Sequence, residues 1–245
     1  MKLNLTKAQV ITKARMPIAW KQQKLQEMPL LAGLPNDLAH YIATHANDWH
    51  ASTIRPFYLK NEPETYIGFI LSGHLYHVLH GEDGKEVIHY TNHPGEIIGE
   101  TALLDPQKRC NSAYAEEKSY LLVLNKHHFP VLQANPQLMA RMQGLLCRRL
   151  RQTIDFVEAT CLFQLESRLA RYFLTQISHY GIQHPEGVLI PPPPNQSTLA
   201  AMVNASRPKL NAQLQKWLRT GLLQRKTSSI LISDIKKMKQ IAMNN

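Results

Sequence analysis

The 245-residue chain has little with which to staple itself or hold a metal: three cysteines, Cys110, Cys147 and Cys161, are widely spaced and none lies in a CxxC pair. Disulfides are not expected, and neither is a thiolate zinc or four-cysteine iron–sulfur site; the apolar or helical surroundings predict buried thiols. Long apolar runs are missing as well. Stretches such as residues 67–71 fall far short of the roughly 18 residues a bilayer helix needs, and the first 20 residues lack the apolar core of a secretory signal. No membrane partner is expected, and the expected address is cytoplasmic. With 44% hydrophobic and 19% charged residues the chain is neither disordered nor collagen-like, and its length allows one large domain or two ordinary ones.

Acid is also scarce, and unevenly so. The chain carries 28 Lys+Arg against 18 Asp+Glu, a net of +10. Residues 191–245 hold nine of the basic side chains, and Asp234 is their only acid. The other 190 residues, with 19 basic and 17 acidic side chains, are nearly neutral. Charge segregated in this way points to a polyanionic partner for the last quarter of the chain.

Three textures follow one another. Residues 1–50 read as a basic arm and then helix, with Leu30, Leu31, Leu34, Leu38, Tyr41 and Ile42 at helical spacing. Residues 53–124 hold short β-rich runs at 66–71, 74–79, 86–90 and 119–124, broken by glycines, which predicts a jelly-roll or barrel of short antiparallel strands. Asn135 and Pro136 then open a long helix to about residue 158. Met139, Met142, Leu146, Leu150, Thr153 and Val157 repeat along it at 3 and 4 residues, the seam of a two-stranded coiled coil, so a homodimer is expected. Leu138 and Leu145 are left to pack on the chain's own β-roll. A second helix covers residues 164–180, and the glycines and prolines of 181–194 read as a boundary or rigid connector.

Beyond it, Asn195 can cap a short helix through Val203, Asn204-Ala205 makes a tight turn, and Ser206 can cap a second helix to Thr220. Leu210, Leu214, Trp217 and Leu218 give that helix a buried face. Its opposite face carries Pro208, Lys209, Asn211, Ala212, Gln215, Lys216 and Arg219, with Arg207 at the exposed N-terminal end and no acid among them. Arg, Asn and Gln are the side chains whose geometry matches base edges in the major groove, and a helix N-terminus favours phosphate. This is a helix-turn-helix, and residues 222–224 and 229–232 add a small β-wing.

These residues resemble the cyclic-AMP receptor protein and fumarate-nitrate regulator (Crp/Fnr) superfamily of bacterial transcription factors. Leu71-Ser-Gly73 looks like its strand-and-glycine turn. Gly95-Glu-Ile-Ile-Gly-Glu100-Thr-Ala-Leu103 followed by Arg109 is similar to its phosphate-binding cassette, and residues 199–211 resemble its DNA-reading motif. The resemblance implies an α+β chain: an N-terminal arm (1–25), a cyclic-nucleotide-binding-like β-roll (26–134), a dimerisation helix (135–160) and a winged helix-turn-helix domain (161–245). It also implies an effector site made of Gly99, Glu100, Thr101, Arg109, Cys110 and Thr153. There Arg109 would pair with a cyclic phosphate and Glu100 with the ribose hydroxyl; cyclic AMP, cyclic GMP, another small effector and an unliganded constitutive dimer are all open. The implied DNA contacts are Asn195, Gln196, Ser206, Arg207, Pro208, Lys209, Asn211, Ala212, Gln215, Lys216 and Arg219, on double-stranded DNA, with RNA polymerase as a further partner. The chain departs from the cyclic-AMP receptor at Cys110, where that protein has a phosphate-binding serine, at Ile154, and at Pro208 and Ala212 in the reading helix.

Two other functions fit parts of the pattern. A cyclic-nucleotide-binding module acting on a protein partner would not need the concentrated charge. A cupin-like metal enzyme would need a His-x-His pair, whereas His74 and His77 are three apart and point to opposite faces of a strand. No metal, enzymatic cofactor or catalytic residue is therefore expected, and the histidines are assigned to the surface.

Overall fold

The computed structural model describes residues 16–193 and 195–244. From Met16 the chain enters two helices, α1 (Ile18–Glu27) and α2 (Asn36–His45). The described end of the N-terminal arm is therefore helical, and it is fastened by charge as well as by apolar contact. Lys21 is fully buried with Nζ 2.7 Å from Asp48 Oδ2, and Asp48 also accepts a hydrogen bond from the Tyr120 hydroxyl. A buried ammonium is tolerable only when paired in this way.

Eight short strands follow: β1 (Asn47–His50), β2 (Arg55–Tyr58), β3 (Tyr66–Ser72), β4 (Leu75–His80), β5 (Glu86–Asn92), β6 (Ile97–Ile98), β7 (Ser112–Ala115) and β8 (Tyr120–Asn125). They form two four-stranded sheets in the orders β1-β8-β3-β6 and β2-β7-β4-β5. Side-chain alternation along β3 and β8 builds two cores at once. Ile70 and Leu121 enter the space inside the roll with Phe57, Leu75 and Ile98. Ile67, Phe69, Leu122 and Leu124 face outward against Leu25, Leu38 and Ile42 of the two helices.

After two short helices, α3 (Thr101–Leu104) and α4 (Phe129–Gln133), helix α5 (Pro136–Leu162) starts where Asn135 Oδ1 accepts from the Leu138 amide at 2.9 Å. Its packing differs from the expected seam. Met142 is fully buried in the outer core beside Leu138, and Met139 and Leu145 pack partly against it. What stays exposed is Leu150, Ile154, Val157 and Leu162. The reason is helical phase: Met142 lies four residues from Leu138, on the same face, so the first two turns serve the chain's own core. The three cysteines are all exposed, contrary to their apolar context.

The described residues divide into two compact units, one holding those up to Leu79 together with Tyr90–Arg151, the other His80–His89 together with those from Gln152 onward. The second unit contains α6 (Leu165–Tyr180), β9 (Ile182–His184), β10 (Gly187–Ile190), α7 (Gln196–Met202), α8 (Arg207–Arg219), β11 (Leu223–Arg225), β12 (Ile230–Ile232) and α9 (Ile235–Met243). Its sheet runs β11-β12-β10-β9. Half of the predicted connector is therefore strand: Val188 and Ile190 are buried and β10 pairs with β12. Gly187, at φ 145°, has no room for a side chain, because a Cβ there would meet the Ile232 carbonyl oxygen at 2.1 Å. Phe173, Leu210, Trp217, Ile232 and Met238 form the core of this unit.

Candidate functional site

Inside the roll of the first unit, Arg109 is only 2% exposed. Its guanidinium donates to the Tyr66 carbonyl at 2.5 Å and more weakly to that of Gly99 at 3.4 Å, and Nη1 lies 3.6 Å from Glu64 Oε1. The Tyr58 ring covers it at 4.3 Å and the Tyr66 ring at 5.2 Å. Gly99 makes this approach possible: at φ 78° it occupies a conformation disfavoured for L side chains, and a Cβ would sit 2.6 Å from Arg109 Nη1. Arg109 Nε is buried with no hydrogen-bond partner among the described residues. A buried donor left in this state costs about 1–3 kcal/mol, which an acceptor on a ligand would recover.

Glu100 immediately precedes the short helix α3 (Thr101–Leu104), with Arg149 Nε of α5 3.2 Å from its Oε1. Arg149 Nη2 is also 3.5 Å from Glu96 Oε2, and the Arg149 guanidinium lies 3.8 Å over the Tyr90 ring. Tyr90 and Asn92 in turn donate to Glu96. Burial pushes the Glu100 carboxyl up to about 7; Glu96 and Glu64 act in the same direction, while its own backbone amide and Arg109 act against them. Burial likewise lowers Arg149 to about 10, which leaves it cationic at neutral pH. The folded protein therefore binds a proton at Glu100 that the unfolded chain releases between about pH 4.5 and 7, so this group's contribution to stability falls as pH rises through that window and levels off above it. Glu100→Gln removes the term. Urea melts from pH 5 to 9 are expected to show wild type losing stability relative to this variant, by at most about 1.4 kcal/mol per pH unit, with the loss levelling off above about pH 8.

Of the other residues assigned to the effector, Thr101 is exposed and its hydroxyl donates to Glu64 at 2.8 Å, Cys110 is exposed, and Thr153 is exposed on the part of α5 that belongs to the second unit. The structure thus gathers Gly99, Glu100, Thr101 and Arg109 and adds Tyr58, Glu64, Tyr66, Tyr90, Glu96 and Arg149, which were not assigned. Glu96 lies within the cassette itself, and Arg149 is one helical turn before Thr153, so both were close to residues already singled out. Glu64, 45 residues from Arg109 in sequence, has no local signal. His77 is half-buried rather than at the surface, with Nε2 2.5 Å from Asn92 Oδ1.

In the second unit, Asn195 caps α7 by accepting from the Thr198 amide at 3.0 Å. Asn204 takes φ 48° in the turn, a conformation Asn tolerates better than most residues. Arg168 of α6 pins that turn, donating to the carbonyls of Val203 at 2.9 Å and Asn204 at 3.2 Å. Ser206 occupies the N-cap position of α8, but its side chain makes no capping bond. Leu210 and Trp217 are buried beneath α8, and Leu214 and Leu218 pack partly against the same core. Ser206, Arg207, Pro208, Lys209, Ala212, Gln215, Lys216 and Arg219 are exposed, as is Asn195; Asn211 and Gln196 are half-buried. The outer face carries no acid of its own, yet one reaches its C-terminal half from α6. Glu166 Oε1 accepts from Gln213 at 3.0 Å, from Trp217 Nε1 at 3.1 Å and from Lys216 at 3.3 Å. Burial works against the charge on Glu166, but the bonds from Trp217, Lys216 and Gln213 outweigh it and hold the carboxyl below its ordinary range. Lys216 is therefore already paired, whereas no ion pair of Arg207, Lys209 or Arg219 is found among the described residues. Asp234, the lone acid of the basic segment, is used as a cap, accepting from the Lys237 amide at 2.8 Å.

Comparison with known proteins places both regions. A cyclic nucleotide-binding domain model matches residues 56–135, and a Crp-like helix-turn-helix domain model matches residues 167–241. A CRP-like cAMP-activated global transcriptional regulator of Mycobacterium tuberculosis is 24% identical over 182 residues, covering 74% of this chain and 81% of that protein. Among solved structures, FixK2 from Bradyrhizobium japonicum has a TM-score of 0.70 at 13% identity, covering 82% of this chain and 98% of its own. The c-di-GMP responsive global regulator CLP of Xanthomonas campestris has a TM-score of 0.66 at 19% identity, covering 79% and 96%. At such identities the two structures attest the fold.

Proposed function

Because the chain belongs to the Crp/Fnr superfamily of DNA-binding transcription regulators, with both of its domains in order, we propose that it acts in the cytoplasm as a homodimer whose β-roll binds a small effector and whose α8 helices read DNA. The observation that carries the reading is the exposed row of Arg207, Lys209, Ala212, Gln215 and Arg219, backed by buried Leu210 and Trp217. Guanidinium and amide groups on a rigid helix can make paired hydrogen bonds to base edges, and the first amides of α8 have no helical acceptors and favour phosphate. The exposed Leu150, Ile154 and Val157 of α5 support the dimer, since apolar side chains at coiled-coil spacing gain most by meeting a second copy.

For the effector, the lone Arg109 Nε supports an anionic oxygen ligand such as a cyclic phosphate. Glu64 already offsets part of the Arg109 charge, so the anion must share or displace that contact. Cyclic AMP and cyclic GMP are the first ligands to test. RNA polymerase is the partner proposed at promoters.

Arg207→Ala is expected to cost about 1–3 kcal/mol of specific binding and to relax preference at one base pair. Lys216→Ala, which removes a cation already engaged by Glu166, is expected to weaken specific and random DNA alike and by less. Fluorescence titrations on a selected site and on random duplex measure both. Equal losses on the two DNAs for Arg207→Ala would remove it from base reading.

A further inference from the structure

Cys147 and Cys161 are both exposed, and both lie on α5. With Leu150, Ile154 and Val157 between them they repeat at 3, 4, 3 and 4 residues. In heptad terms Cys147, Ile154 and Cys161 stand at a, Leu150 and Val157 at d. The three apolar members are 62%, 57% and 52% exposed in the order Leu150, Ile154, Val157. With 3.6 residues per turn, this stripe lies roughly 120° around the helix from Leu138, Met142 and Leu145, which pack on the chain's own core. The helix thus has one face that is used and one that is not, and both cysteines are on the second.

Ile at a with Leu at d favours two parallel strands, and in such a pair each a residue lies opposite its own copy. Disulfides span Cα separations of about 4.4–6.8 Å, a distance that the facing positions of a tight two-stranded seam can meet. Resting on the homodimer reading, we propose that Cys147 and Cys161 form disulfides with the partner's Cys147 and the partner's Cys161, so that a thiol-oxidising signal locks the dimer covalently. The oxidant is a low-molecular-weight disulfide such as oxidised glutathione. The thiolate of Cys161 attacks it and releases one glutathione; the thiolate of the partner's Cys161 then attacks the mixed disulfide and releases the second. Two protein thiols are oxidised, one small disulfide is reduced to two thiols, and the two protein protons end on the released glutathiones. The Cys147 pair reacts in the same way.

The test uses the full chain. Sedimentation of the reduced protein establishes the dimer independently. Incubation with oxidised glutathione followed by a non-reducing gel should then give a band at twice the chain mass for wild type and for Cys110→Ser. Cys147→Ser and Cys161→Ser should each keep part of that band, the double variant should lose it, and dithiothreitol should abolish it in all. The oxidised protein should also stay dimeric when diluted at least ten-fold below the concentration at which the reduced dimer dissociates. Because all three side chains are exposed, circular dichroism of the serine variants should match wild type. A sedimenting dimer that never cross-links, or cross-linking that survives in the double variant, would overturn the proposal while leaving the dimer intact. A reduced protein that sediments as a monomer would overturn the dimer reading, and this proposal with it.

Discussion

Replacing Arg109 by alanine is expected to destabilise the protein by about 3–5 kcal/mol, because it leaves a buried carboxylate without its cation. Glu64 is 7% exposed, and among the described residues the only guanidinium paired with it is that of Arg109. The Thr101 hydroxyl at 2.8 Å and the Gln107 amide at 3.5 Å do not replace that charge. Tyr58 and Tyr66 lose the cation on their faces in the same step. Urea denaturation of the single variant measures the cost. The double variant Arg109→Ala/Glu64→Ala identifies its source: with both charges gone it should recover a substantial part of the lost stability, as expected for residues that interact directly. Additive losses, or a single-variant cost under 1 kcal/mol, would show that the pair is not the centre of the roll. The double variant should also lose any rise in melting temperature that cyclic AMP or cyclic GMP gives wild type.

Trp217→Ala is expected to cost a similar amount, about 3–5 kcal/mol, by emptying the largest space beneath the reading helix. Trp217 is 2% exposed, packs in the core with Phe173 and Leu210, and supplies one of the three donors to Glu166. The loss should be confined to the second unit, with amide exchange in α6, α8 and α9 accelerated and that of β3 and β8 unchanged. DNA binding should fall in proportion to the fraction of that unit unfolded. Trp217→Phe fills most of the space but leaves Glu166 without the indole N–H, so it should cost about 1–2 kcal/mol. A Trp217→Ala variant as stable as wild type would contradict the packing described for α8.

The parts of the fold with strong local patterns were legible. Strands β3, β4, β5 and β8 fall within two residues of their apolar runs, α5 begins at the cap that Asn135 supplies, and the tight turn predicted at Asn204-Ala205 is there, with Asn204 at φ 48°. What escaped depends on partners distant in sequence. The strands β9 and β10 sit in a segment rich in glycine and proline, where the punctuation suggested a connector; only the pairing of β10 with β12 and of β9 with β10 makes them strands. Lys21 reads as one more charge of a basic arm, and nothing near it in sequence announces Asp48. Glu64 and Arg149, like Glu166 beneath Lys216, become site residues only when the elements meet. The cysteines show the opposite failure: their apolar surroundings are real, but the apolar stripe of α5 is exposed within one chain.

The central claim, that paired α8 helices read DNA, is tested most directly by binding-site selection from random duplex, followed by titration of the selected site at rising salt. The account predicts a two-fold symmetric site with half-sites about 34–36 Å apart, two chains bound per duplex, and a steep loss of affinity with salt. Failure to enrich any sequence, with and without the candidate nucleotides, together with equal affinity for selected and random DNA, would contradict it.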